Sequence, residues 1–427
     1  MTLLVNEIIY GAMPGATKIF PDGYFDAIIT DPPYELGFMG KSWDNSGVAY
    51  NINVWREVLR IAKPGAIMLC FGGTRTFHRL TCAIEDAGWQ IRDCFSWLYG
   101  SGFPKSLNIS KAIDKAKGVY KKGEVLPSSR KTHGNMDFQM KEKTAANPQT
   151  DLAKLWCGYG TALKPAWEPI IVAMKPLDGT YAQNAEKHGV AGLNIDGGRI
   201  GKSADDRTEY GVNGIERKTG NVFGKQYGKI QFDGSQGRWP ANVILDEEAA
   251  AMLDEQSGIS RGGKTYNYVG QKEYQVAGFI PNNKPNSPSN RGDSGGASRF
   301  FYCAKASRSE RNAGLEGMDA EPIKGRDTGQ DIRNVPYKQR ISPIQNHHPT
   351  VKPLKLMEYL CRLVKPPSEH PILLDPFCGS GTTLMAAVNT GWDYVGVEKE
   401  AEYVEIARRR VMWAKKQRQG QIGLFDQ

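Results

Sequence analysis

The stretch ILLDPFCGSGTT, residues 372–383, limits the fold more than any other part of the chain. Three aliphatic residues run into a proline and then into Gly379 and Gly381. Helical spacing resumes over Thr382–Thr390. A buried strand, a glycine-rich turn and a helix form the opening unit of a doubly wound α/β sheet. The glycines let backbone approach a ligand, and the helix N-terminus favours an anionic group. No Gly-Lys-Ser/Thr follows, which excludes a Walker loop, and the incomplete Gly-x-Gly-x-x-Gly disfavours a dinucleotide. The next apolar run, Tyr394–Val397, ends on Glu398, where an acid can hold both hydroxyls of a ribose. On these residues alone, a plain tight turn and a helix-start acid stay open as the alternative.

A second strand ends in a different kind of turn. The run YFDAIIT, residues 24–30, reads as a buried parallel strand and stops at Asp31-Pro32-Pro33-Tyr34. Two prolines fix the backbone and remove two N–H donors, so this turn offers acceptors without competing donors. Asp31 contributes carboxylate oxygens and Pro32 a carbonyl. An aromatic amino group needs such a setting, because its lone pair is delocalised into the ring. Accepting its two N–H bonds favours a tetrahedral nitrogen aimed at an electrophile. Tyr34 can stack on a base. Taken alone, the tetrapeptide also fits a rigid turn with a surface aromatic.

The spacing elsewhere predicts helices over Val54–Ala62, 76–87, Asp246–Gln256, Leu354–Val364 and Ala401–Lys416. Strands are predicted at Ala66–Phe71, Ile91–Leu98 and Pro169–Met174. Alternating strands and helices imply right-handed crossovers and a mostly parallel sheet. The segment 178–346 differs: short strand-like pieces lie between Gly, Asn, Ser and Pro, and 262–298 reads as loop. It is too long for a connection and reads as an insertion. The expected organisation is an α/β half at 1–177 carrying the acceptor turn and an inserted α+β region at 178–346. A cofactor-binding half at 347–418 and a tail at 419–427 complete it.

The net charge of +9 points to an anionic partner, nucleic acid first. Residues 105–143 hold ten Lys/Arg against four Asp/Glu. Phosphate contacts are therefore expected at Lys105, Lys111, Lys115 and Lys117, with a solvated loop as the alternative. The basic run near the C-terminus (Arg408, Arg409, Arg410, Lys415, Lys416) is expected to face solvent. Seven scattered cysteines without a Cys-x-x-Cys pair argue against a disulfide framework or structural zinc. The six histidines show no ligand spacing, so no metal is expected. The N-terminus lacks the pattern of a signal peptide, and no apolar run reaches the ~20 residues of a membrane span. A cytoplasmic protein is the expectation.

The two turns together resemble the hallmarks of the N6-adenine/N4-cytosine DNA methylase family, especially phage- and prophage-borne members. The acceptor turn precedes the glycine turn with an insertion between them, the permuted order called the beta group. KPGAIMLCFGG, GSGFPKSLNISKAID, KPAWEPIIVAMKP, GRWPANVILD, RFFYCAKASRSERNAG and HHPTVKPLKLMEYL are also similar to this family. The resemblance implies a doubly wound, Rossmann-like methyltransferase sheet with S-adenosylmethionine as cofactor and double-stranded DNA as partner. Homodimers are common in that group. Asp31, Pro32, Pro33 and Tyr34 would be catalytic. Asp375, Phe377, Gly379, Gly381, Thr382 and Glu398 would bind the cofactor. Thr350 and Lys352, in the segment His348–Pro353, would close the pocket around its methionine part. Many members carry Gly-Asp at the end of the first strand where this chain has Gly11-Ala12. The base would be flipped from the duplex and methylated on adenine N6 without a covalent intermediate. N4-cytosine methylation and an inactive DNA-binding regulator are the alternatives. An RNA or protein-glutamine methyltransferase ranks below them, since the latter typically has Asn at position 31.

Overall fold

The computed structural model describes residues 4–36, 45–102, 106–121, 125–126, 142–143, 147–201, 237–261, 265–267, 286–289, 294–304, 310, 312–315, 346 and 351–425. In it the two motif-bearing strands are immediate neighbours. Strand β1 is Glu7–Tyr10, β2 Phe25–Thr30, β3 Ala62–Phe71, β4 Gln90–Leu98 and β5 Trp167–Met174. Strands β6 (Val243–Asp246), β7 (Tyr302–Ala304), β8 (Ile372–Asp375) and β9 (Asp393–Glu398) follow. They form one sheet in the order β1-β9-β8-β2-β3-β5-β4-β6-β7. All pairings are parallel except those of β5, which runs against both β3 and β4.

Helices cover both faces, which is why β2, β3 and β8 are apolar almost throughout. On one face Ala27, Ile29, Leu69 and Leu373 pack beneath α7 (Leu354–Val364), α8 (Thr382–Thr390) and α9 (Ala401–Phe425). On the other, Ile28, Met68, Cys70 and Leu374 meet α1 (Ile52–Ile61) and α2 (Phe77–Asp86). Adjacent residues thus alternate between two cores. Helix α1 begins on Asn51, whose side chain accepts from the Asn53 amide. The sequence Lys63-Pro64-Gly65, which ends the helix before it, lies inside β3, whose pairing with β2 is irregular there. Helix α9 reaches Phe425, beyond the expected Lys416.

The described parts of 178–346 are woven into the sheet: β6 pairs with β4, and β7 pairs with β6. Helix α6 (Glu247–Ser257), capped by Asp246, follows β6. Tyr302 stacks on Tyr359 of α7 with ring centroids 3.8 Å apart. Helix α5 (Tyr181–His188) starts on a capping box of Thr180 and Gln183. Much of the loop expected at 262–298 lies outside the described residues. A second compact unit spans Ser101–Ala166. It contains α3 (Ile109–Ala116) and α4 (Asp151–Leu155), tied by the buried Asp114 carboxylate, which accepts from the amides of Gln149 and Thr150.

Candidate active site

Parallel strands β2 and β8 pair in register, Leu373 opposite Ala27 and Leu374 opposite Ile28, so their C-terminal turns open side by side. Between them lies a cavity of about 340 Å³. Asp31, Pro32, Pro33, Tyr34, Lys352, Asp375, Phe377, Gly379, Thr382 and Glu398 all line it. Ten candidates separated by more than 300 positions therefore meet in one place. Gly381 supports the cavity from behind: its φ is +79°, and a Cβ there would lie 2.9 Å from the Ala407 Cβ of α9. Thr350 and Lys105 lie outside the described residues. Lys111, Lys115 and Lys117 belong to the Ser101–Ala166 unit, where the ammonium groups of Lys111 and Lys115 approach the Tyr120 ring.

The acceptor turn is held on several sides. Thr76 donates to the Tyr34 carbonyl at 2.8 Å, and Gly73 packs against the Tyr34 side chain. Glu35, in the left-handed region at φ 54°, accepts from the Gly47 and Ala49 amides and so fixes the segment carrying Ser46 and Val48 beside the cavity. The Asp31 carboxylate splits its two oxygens. Oδ2 accepts from the Lys352 ammonium at 2.6 Å, whereas Oδ1 is buried with no hydrogen-bond partner among the described residues. Burial pushes the Asp31 carboxyl above its usual value; Lys352 pulls it down and Glu168 pushes it further up.

Lys352 lines the same cavity. It precedes α7 and directs its ammonium at Asp31, at the Tyr34 hydroxyl (3.1 Å) and at Glu168 (3.4 Å). Tyr34 donates to Glu168 at 2.9 Å. Burial works against the Lys352 charge, but Asp31 and Glu168 together hold its pKa above the usual lysine value. Glu168 was missed from the sequence. Its only signal there is an isolated acid at the start of the apolar run WEPIIVAM.

The glycine turn is built differently. Glu398, ending β9, accepts from the Gly379 amide at 3.0 Å and the Glu400 amide at 2.8 Å. Burial raises its pKa. Asp375 is fully buried and accepts from the Phe377 amide; burial pushes its carboxyl up to about 7. Cys378 packs against Gly396, and burial raises its thiol well above the usual value, which suits a packing role rather than a nucleophile. Arg410 corrects the expectation of a solvent-facing basic run: it is 1 % exposed. From α9 its guanidinium donates to the Ser380 carbonyl (2.6 Å), the Ser380 hydroxyl (3.0 Å) and the Thr382 hydroxyl (3.0 Å). Arg408 remains exposed while donating to the Ile8 carbonyl, and Arg409 pairs with Glu405 at the surface.

Two turns at adjacent strand ends, one offering acceptors and one a glycine-rich cradle, on a doubly wound sheet with a single reversed strand, define a Rossmann-like methyltransferase fold. The chain belongs to the N6_N4_Mtase DNA methylase family, which it matches over residues 25–409. It is 28% identical over 172 residues to the type II methyltransferase M2.MboI of Moraxella bovis, covering 38% of this chain and 62% of that one. It is 43% identical over 67 residues to M.HindIII of Haemophilus influenzae, covering 16% and 21%. The matched stretches thus span less than two thirds of either relative. Among solved structures the chain is similar to the cytosine-N4-specific PvuII DNA methyltransferase (14% identity, 96% and 87% coverage, TM-score 0.42). It is also similar to M1.HpyAVI in complex with SAM (13% identity, 95% and 98% coverage, TM-score 0.36).

The family's methyl donor is S-adenosylmethionine, and the cavity residues fit it. Gly379 and Gly381 add no side chain at their two positions of the turn, and the Glu398 carboxylate, held by the Gly379 and Glu400 amides, lines the cavity beside them. Gly11, Ala12 and Met13 line the same cavity.

Proposed function

We propose that the chain methylates an exocyclic amino nitrogen in double-stranded DNA, with adenine N6 as the target. The observation that carries this reading is Asp31, which lines the same cavity as the glycine turn and whose Oδ1 is unpartnered among the described residues. Asp31 Oδ1 and the Pro32 carbonyl accept the two amino hydrogens and localise the nitrogen lone pair. Tyr34, held through its hydroxyl by Glu168 and Lys352, offers its ring to the flipped base. When bound, S-adenosylmethionine supplies an electrophilic methyl group; Gly379, Thr382 and Glu398 would hold it. Thr382 opens α8 beside the glycine turn, and Asp375 and Phe377 form the wall behind it. The residues position, orient and exclude water, and no enzyme nucleophile is required.

Asp at position 31 favours adenine over cytosine. Lys111, Lys115 and Lys117 are proposed phosphate contacts, and the segment 178–346 the reader of the target sequence. The test is modified-base sequencing of DNA from cells producing the wild-type chain or Asp31→Ala, with nucleoside mass analysis. N6-methyladenine at a defined site, absent with Asp31→Ala, is the expected result. Only N4-methylcytosine would redirect the reading to cytosine. DNA binding with no methyl transfer on any duplex would leave a DNA-binding regulator.

A further inference from the structure

We propose that Lys352 and Glu168 are opposed positioning residues that reserve one oxygen of Asp31 for the target base and set the pH at which that oxygen becomes an acceptor. The proposal rests on the functional reading above and goes beyond it. A carboxylate presents two equivalent oxygens and can rotate, so an amino group would meet an acceptor of undefined direction. Here the Lys352 ammonium takes Oδ2 at 2.6 Å and leaves Oδ1 without a partner among the described residues. Lys352 is itself held in place, by Glu168 at 3.4 Å and the Tyr34 hydroxyl at 3.1 Å. Glu168 accepts from Tyr34 at 2.9 Å, so one carboxylate fixes both the lysine that aims Asp31 and the ring that faces the base.

The three charges come from distant places: the β2 turn, the start of β5 and the residues before α7. Other titratable groups act on them from Tyr34 in the same turn, Cys70 of β3, Asp375 of β8 and Tyr99 after β4. Among these, Lys352 is the cation. Ionised Asp31 accepts on both oxygens, whereas a proton on Oδ1 turns the oxygen left for the base into a donor, so methyl transfer rises with pH as that proton leaves. Lys352 favours the ionised form and Glu168 opposes it. Substitutions at the two positions therefore displace the acid limb of the rate in opposite directions, a signature that loss of packing does not produce.

The experiment is the single-turnover methyl-transfer rate against pH on the full chain, using a duplex that the wild type methylates. Lys352→Met, Lys352→Arg and Glu168→Gln are compared, with S-adenosylmethionine affinity and thermal midpoint measured alongside. Lys352→Met slows transfer by roughly 100-fold, the scale expected for a misplaced acceptor. Its acid limb moves to higher pH, while cofactor affinity stays within about twofold of wild type. Lys352→Arg restores the limb while recovering only part of the rate. Glu168→Gln keeps an acceptor oxygen for Tyr34 but removes the charge, and moves the limb to lower pH. Should Lys352→Met not fold, Glu168→Gln and Lys352→Arg still carry the test. Unmoved limbs in both, or a Lys352→Met defect confined to cofactor affinity, would overturn the proposal while leaving the methyltransferase reading intact. A wild type that methylates no duplex overturns that reading instead.

Discussion

The turns after β2 and β8 lie side by side yet reach rigidity by opposite means. The first is stiffened by two prolines and displays acceptors; the second is opened by glycines and displays bare backbone. Each is secured by a buried cation from a remote segment. Lys352, a compact point charge, meets Asp31 Oδ2, the Tyr34 hydroxyl and Glu168. Arg410, a planar fork, gathers the Ser380 carbonyl and the hydroxyls of Ser380 and Thr382. The difference teaches that the arrangement of acceptors selects the cation: two carboxylates and a hydroxyl converging on one point suit lysine, and a spread of neutral oxygens suits arginine.

The comparison breaks most visibly at Arg410. Arg410→Met leaves the Ser380 and Thr382 acceptors without their charged donor, at a cost of about 3 kcal/mol. It also weakens S-adenosylmethionine binding at least tenfold, about 1.4 kcal/mol, with calorimetry as the check. Unchanged affinity would mean that the turn keeps its form without the fork. Gly381→Ala comes next. Its left-handed backbone and the 2.9 Å approach to Ala407 predict a loss of about 2 kcal/mol by urea denaturation.

Asp375 sharpens the contrast through pH. Its carboxyl is pushed to about 7, so between pH 4 and 7 the folded chain keeps a proton that the unfolded chain gives up. The unfolded state then binds fewer protons, and stability falls as pH rises through this window, by at most about 1.4 kcal/mol per pH unit. Asp375→Asn flattens that slope; an unaltered slope would assign it to other carboxyls. The smallest effect belongs to Tyr34→Phe. It removes one hydroxyl between Lys352 and Glu168 but keeps the ring, and slows single-turnover transfer about fivefold, near 1 kcal/mol. A loss beyond a hundredfold would give the hydroxyl a larger part than holding the ring.

Local rules reached far into this fold. Helices Leu354–Val364 and Thr382–Thr390 begin and end where their spacing predicts, because apolar periodicity and the adjoining Pro353, Gly381 and Gly391 act within a single turn. The two motif turns were also legible, since proline and glycine write their conformations into the chain. Glu168 and Arg410 were not. Each is a charged residue in an element whose neighbours are apolar, and its partner lies on another strand or loop. Arg410 had a faint signal: Tyr403, Ala407 and Ala414 share its helical stripe, and all are buried. The pocket partners of Lys352 were hidden for the same reason, because 321 positions separate it from Asp31.

The reversed strand β5 has a consequence for how such a chain can change. Because β5 runs against β4, Leu98 faces Trp167 across the sheet. The chain thus departs and returns at neighbouring points, with the Ser101–Ala166 unit contained in between. Loop-closure entropy grows only logarithmically, about 0.6 kcal/mol for each doubling of length. The sheet is therefore nearly indifferent to what is spliced into that hairpin. Replacing 101–166 by a short turn is expected to keep the pairing of β4 with β5, with circular dichroism and the thermal midpoint as the check.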